Sequence, residues 1–156
     1  MKFRKGFTLI ELLTVVLILS VLTAIAVPQY HKAVKRAQAA NMLINLRALF
    51  DSTKRYYAEA GVWPTALNNL DVKLLVNSNS TNQSGEFLYT FDGTNRSLNA
   101  CQVDGTGNCL YTLKVYYRLG TERDVYTCQA NVAKYQFVCE SLGNTTINGE
   151  TKISAD

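Results

Sequence analysis

The residues able to do chemistry fall into two groups at opposite ends of the chain. Near the start, Glu11 is the only charged residue between positions 7 and 27. A carboxylate in that setting can cap a helix or meet a cation. The sole histidine, His31, follows shortly after, 70 residues before the nearest cysteine. Without a second histidine, nucleophilic chemistry of the Ser/His or Cys/His kind lacks a base. The four cysteines, Cys101, Cys109, Cys128 and Cys139, all lie in the last third, with spacings of 8, 19 and 11. A four-thiolate zinc site is allowed by number, but no C-x-x-C pair suggests one. An even count behind an apolar segment reads better as two disulfides formed in an oxidising compartment. Of the three possible connectivities we favour Cys101–Cys109 with Cys128–Cys139, each stapling neighbouring strands. The carboxylates are scattered, Glu122 and Asp124 being the nearest pair after the helical region. That pair reads as a solvated edge. No glycine-rich phosphate loop occurs. The expectation is a protein with no enzyme chemistry, cofactor or metal; no carboxylate-rich calcium loop is clear, and Asp92, Asp104 and Asp124 are the candidate acids for one.

These residues must be positioned by larger elements. Residues 7–27 form a stretch of 21 with one charge. As a helix it would be about 31 Å long, close to the hydrocarbon thickness of a bilayer. Pro28 removes a backbone donor and should kink this helix without ending it. Beyond it the pattern becomes amphipathic. Ala39, Met42, Leu43, Leu46, Leu49, Phe50, Tyr56 and Tyr57 recur at three and four, marking one buried stripe. Asn41, Asn45, Ser52 and Arg55 take the other side, with Asp51 placed to pair with Arg47 and Arg55. The result is one helix of some 50 residues, stopped by Gly61. A loop through Pro64 and a short turn follow. The polar stretch 77–85 reads as an exposed loop.

After it the period drops to two. "EFLYTF", "CLYTLKVYYRL", "DVYTCQA" and "KYQFVCESL" read as four or more strands at antiparallel hairpin spacing, with Asn148-Gly149 marking another turn. The fold class expected is α+β: a long N-terminal helix whose amphipathic half packs on a C-terminal meander sheet. Tyr111, Tyr116, Tyr117, Tyr126 and Tyr135 fall on the strands, where ordinary packing accounts for them.

The first 30 residues admit three readings. One is a secretory signal cut after Ala26, at the A-x-A pattern, releasing a soluble binding domain. Its apolar run is longer than such signals use, and it holds an acid. A second is a plain signal anchor, which leaves Glu11 unexplained. Third, "KGFTLIELLTVVLILSVLTAIAVPQY" resembles the type IV pilin family: a short basic leader ending in Gly, then Phe, then Thr-Leu-Ile-Glu, then a long apolar helix. The resemblance implies cleavage between Gly6 and Phe7 by a prepilin peptidase, with N-methylation of Phe7. It matches Glu11 to the family's assembly acid and Pro28 to the helix proline. Its implied organisation is a leader at 1–6, a membrane or filament-core half-helix at 7–28, an amphipathic half at 29–60 and a globular region at 61–156. Cys128 to Cys139 would then bound the outer surface region.

The resemblance further implies a structural subunit, inserted in the inner membrane as a single-pass precursor and polymerised into a surface fimbrium. Its partners would be copies of itself, minor pilins, the peptidase, an assembly platform and membrane lipid. A pseudopilin of a type II secretion system is the alternative on the same architecture. Nucleic acid is not an expected partner: the net charge of +4 falls to +1 once Lys2, Arg4 and Lys5 are removed. For Glu11, one role is local. Thr8-Leu9-Ile10-Glu11 fits the capping box, and the acid offsets the helix dipole. The other role needs a cation, which cleavage would create at the Phe7 amine.

Overall fold

The structure, a computed structural model, describes residues 6–72, 81–84, 87–117, 124–143, 145–147 and 150–153. It divides into two compact units, Met1–Ala37 and Gln38–Asp156. The helix α1 (Leu9–Ala60) contributes to both and runs 52 residues through Pro28. It stops where expected. Gly61 adopts a left-handed φ of 72° and its N–H reaches back to the Tyr57 carbonyl at 2.9 Å, the usual glycine termination.

Seven strands follow, β1 (Thr81–Ser84), β2 (Phe87–Asp92), β3 (Ser97–Val103), β4 (Cys109–Tyr116), β5 (Val125–Ala130), β6 (Thr145–Ile147) and β7 (Glu150–Ile153). They form one sheet in the order β1-β2-β3-β4-β5-β7-β6, with every pairing antiparallel. β1 to β5 follow one another as an antiparallel meander, in which β2, β4 and β5 are strands expected from the sequence. β7 then lies against β5 and leaves β6 at the edge, a departure from simple succession.

Three segments differ from expectation. Thr81–Ser84, read as part of an exposed loop, is the edge strand β1 paired to β2 from Thr81↔Thr90 to Ser84↔Phe87. An edge strand needs only a backbone partner, which its polar composition does not reveal. Ser97–Val103 carries no clear alternation, yet it is the inner strand β3, and six of its seven residues are buried. "KYQFVCESL" is not a strand. It makes a 3-10 turn at Ala133–Tyr135 and a short helix α2 (Gln136–Leu142) lying against β5. The second cysteine pair therefore joins a strand to a helix rather than two strands. The expected loop at 77–80 and 85, Glu122, and the Asn148-Gly149 turn lie outside the described residues.

The amphipathic stripe of α1 packs as its spacing requires. Ala39, Met42, Leu43, Leu46, Leu49 and Phe50 are buried, while Tyr56 and Tyr57 are half-buried. The buried six and Tyr56 meet Tyr89 of β2, Leu98 of β3 and Leu113 of β4, which are fully buried, in one core cluster. Each such side chain stabilises by about 1.5–3 kcal/mol relative to exposure. Ser52, expected on the outer side, is buried, and its hydroxyl donates to Asp71 in the loop after α1. Arg55 grips the same carboxylate with Nε and Nη2, each at 3.0 Å. Asp51 pairs with Lys54 at 3.2 Å rather than with Arg47 or Arg55. Lys54 also donates to Asp124 at the start of β5. Partial burial works against the Lys54 charge, but Asp124, with Asp51 adding, outweighs it and holds the ammonium pKa above its ordinary value. Trp63 stacks on Tyr57 at 4.5 Å and meets Tyr117 edge-on at 4.7 Å. These contacts tie the loop after α1 onto the helix end and the sheet.

Candidate assembly site at the helix N-terminus

The start of α1 is closed by its own side chains. Thr8 caps the helix. Its Oγ1 accepts the Glu11 N–H at 3.3 Å, and the Glu11 Oε2 accepts both the Thr8 N–H at 2.8 Å and the Thr8 hydroxyl at 2.7 Å. This is the reciprocal capping box expected from Thr-x-x-Glu. One carboxylate oxygen thus takes two donors. Among the described residues the other, Oε1, accepts none.

Around this acid the helix surface is apolar and open. Phe7 is 85% exposed and Leu9 79%, and large exposed hydrophobic side chains continue to Val27. The helix is long and apolar enough to cross a membrane. Between positions 9 and 27 its three hydroxyls are all turned back onto the backbone. Thr14 donates to the Glu11 carbonyl at 2.9 Å, Ser20 to Leu17 at 2.7 Å and Thr23 to Leu19 at 2.6 Å. None presents an unpaired donor to an apolar solvent. Pro28 lies inside the helix and has no N–H to give the Ala24 carbonyl. Gly6 has open space where a Cβ would stand, and its backbone is not left-handed, so packing does not require glycine there. His31 is exposed beside the Tyr30 ring, 6.2 Å away.

The two disulfides lie in the second unit. Cys101 at the end of β3 is bonded to Cys109 at the start of β4, with Cα atoms 5.6 Å apart. The tip between them is held by Asp104, whose Oδ1 accepts the Thr106 and Asn108 N–H groups at 2.9 Å each and the Thr106 hydroxyl at 2.6 Å. The Thr106 hydroxyl leads in lowering the Asp104 pKa, with the Asn108 N–H next. Cys128 of β5 is bonded to Cys139 of α2, with Cα atoms 5.3 Å apart and both residues buried. Among the described residues no three His, Cys, Asp or Glu side chains converge as metal ligands. Asp92 accepts N–H groups of its own turn, and Asp124 holds Lys54. The Ser52–Asp71–Arg55 cluster and the aromatic stack on Trp63 carried no periodic signal, since Asp71, Phe91 and Tyr117 come from outside the helix.

An exposed apolar half-helix ahead of a disulfide-stapled α+β unit defines a class of proteins whose N-terminal segment needs lipid or other helices as its solvent. The comparisons with known proteins narrow that class. The family model for the prokaryotic N-terminal methylation motif matches residues 1–27. A fimbrial protein of Neisseria meningitidis serogroup A is 30% identical over 105 residues, covering 67% of this chain and 59% of that protein. The type IV major pilin protein PilE of Neisseria gonorrhoeae is 38% identical over 61 residues, 39% of this chain and 36% of its own length. Fimbrial protein EcpC of Eikenella corrodens is 41% identical over 61 residues, 39% of this chain and 40% of its own. The chain therefore spans less than two thirds of each of these relatives. No solved structure matches it. By its N-terminal methylation motif and these relatives, the chain is similar to type IV pilins and fimbrial proteins.

Proposed function

We propose that this chain is a structural subunit of a type IV pilus-like filament, made as a membrane-inserted precursor and assembled through α1. A prepilin peptidase cuts between Gly6 and Phe7, leaving Phe7 with a methylated ammonium. An assembly platform then moves the subunit from the inner membrane into a surface fibre built of copies of itself with minor pilins. The observation that carries this reading is Glu11, the one charged residue of the exposed apolar stretch 7–27, whose second carboxylate oxygen takes no donor among the described residues. A charge at the bilayer centre costs about 2.5–3.5 kcal/mol even on the mildest scale, and Glu11, about 6 Å into the span, bears part of that. Capping by Thr8 offsets part of that. The Phe7 amine of a neighbouring subunit, shifted along the bundle, offsets the rest and penalises any axial register that leaves either charge alone. Gly6 fits the same account, because the fold makes no demand for glycine at that position.

Mass analysis of the mature N-terminus tests processing. A methylated Phe7 supports the reading, and a chain beginning at Val27 overturns it in favour of a secreted domain. For assembly, Glu11→Ala is expected to leave the protein in the membrane while sharply lowering fibre yield. Fibres at the wild-type yield would remove the pairing of Glu11 with the Phe7 amine.

A further inference from the structure

The bond proposed for cleavage, between Gly6 and Phe7, lies just ahead of α1, and what sets the start of α1 is local. The helix begins at Leu9, so Gly6, Phe7 and Thr8 stand outside it, and all three are exposed. The Leu12 N–H donates to the Thr8 carbonyl at 3.3 Å. If the helix ran one residue further out, the Glu11 N–H would bond the Phe7 carbonyl. That donor is already taken, because Thr8 Oγ1 accepts it at 3.3 Å. The Thr8 N–H, which a further turn would need, is held by Glu11 Oε2 at 2.8 Å. Side chains thus close both routes by which the helix could grow toward residue 6.

This matters for hydrolysis. Water adds its oxygen to the Gly6 carbonyl carbon and the bond to the Phe7 nitrogen breaks. Gly6 keeps the new carboxylate, and both protons of the water end on Phe7 as its ammonium. Inside a helix the Gly6 carbonyl would instead be bonded to the Ile10 N–H and wrapped by the turn. In a bilayer an uncapped helix grows outward rather than fraying inward, since lipid offers no acceptor to the freed N–H groups.

We infer that Thr8 is a positioning residue for leader removal: its cap fixes where α1 begins and keeps the Gly6–Phe7 bond clear of the helix, open to the peptidase. The inference rests on the processing proposed above and adds a residue to it. Thr8 acts through the helix start and not on the reacting atoms.

The test uses the full-length precursor and a prepilin peptidase in detergent micelles, with cleavage followed by mass. Thr8→Val keeps the side-chain shape and removes the cap, whereas Thr8→Ser and Thr8→Asn keep a cap in other shapes. With fewer chains presenting the bond, Thr8→Val is expected to raise KM about fivefold at unchanged kcat. Thr8→Ser and Thr8→Asn are expected to stay within about twofold of wild type. Every buried residue among those described is Ala39 or later, so these exchanges leave the core intact. Thr8→Asn cut as poorly as Thr8→Val overturns the inference, because the peptidase would then be reading the hydroxyl itself. Glu11→Ala retains the backbone N–H that Thr8 accepts, so it should be cut faster than Thr8→Val although it is expected not to assemble. Equal slowing would give the helix start to the carboxylate and overturn the assignment to Thr8. Wild type left uncut at Gly6–Phe7 defeats the processing reading itself, whereas wild type and Thr8→Val cut there equally well defeat only this inference.

Discussion

Gly143 shows how a single residue sets how closely the end of α2 approaches β7. It ends α2, its N–H donating to the Cys139 carbonyl at 3.2 Å, and β7 passes directly over it. A Cβ at this position would land on the Lys152 carbonyl oxygen and 3.1 Å from the Ile153 Cα, and both are backbone atoms that no rotamer change can move. Gly143→Ala is therefore expected to cost about 1–3 kcal/mol or more in denaturant unfolding, as for other overpacked sites. An unchanged midpoint would mean that β7 can shift freely. Asp104 makes a different kind of contribution, through charge. Its donors favour the carboxylate in the folded state, so the folded pKa lies below the unfolded one. The stabilisation is thus fully present above the unfolded value and lost as pH falls through the folded value. Asp71 and Asp92 are lowered likewise, by Ser52 first and by the Asn95 N–H first, respectively. Stability is expected to hold flat between about pH 4 and pH 9 and to fall below that window. Asp104→Asn should make that fall shallower, as read from melting temperature against pH. At this scale the candidate site was legible because it is local: Thr8 and Glu11 are three residues apart, and a capping box needs nothing further from the fold.

The elements differ in how they are held, and that decides which could be read from sequence. The stripe of α1 repeats over many turns, so its period survives noise. α2 has seven residues, too few to establish a period, and Tyr135, Phe137 and Cys139 at alternate positions imitate a strand. What makes it helical is packing: Val138 and Cys139 are buried beside β5, with the disulfide fixing the contact. β3 hides for the opposite reason, since its near-complete burial erases the alternation that betrays a half-buried strand. β1 is held by its ladder to β2, a non-local partner. The two staples should likewise differ. Closing loops of this size is worth roughly 2–3 kcal/mol each, which alone would make them equal. Burial separates them. Cys128 and Cys139 are both about 1% exposed, whereas Cys109 is only half-buried. Cys128→Ala/Cys139→Ala is expected to lower stability by about 3–5 kcal/mol, adding a cavity to the lost staple. Cys101→Ala/Cys109→Ala should cost about 2–3 kcal/mol. Reversing that order in urea unfolding would show that the hairpin tip, not the α2 contact, holds the sheet.

For the whole molecule, two demands are divided along one helix. Every buried residue among those described is Ala39 or later, and none of the apolar side chains of residues 7–27 is buried within the chain. The second unit therefore owes its core to nothing that precedes it. The first unit has no core of its own and needs lipid or neighbouring helices as solvent. A chain beginning at residue 29 removes the apolar surface without removing one buried contact. It also keeps both disulfides, the Lys54–Asp124 tie and the glycine stop at Gly61. It is expected to be soluble and monomeric without detergent, and to melt at the same temperature as the full chain held in detergent. Added in excess to assembling full-length subunits, it should neither enter fibres nor lower their yield, because what it lacks is the segment through which subunits join. Calorimetry and sedimentation read the first two outcomes, and mass analysis of purified fibres reads the third. A truncated chain that unfolds would place part of the core's support in residues 7–28. One that enters fibres would move the assembly surface off the apolar half-helix and onto the sheet-bearing unit, and with it would go the role proposed for Glu11.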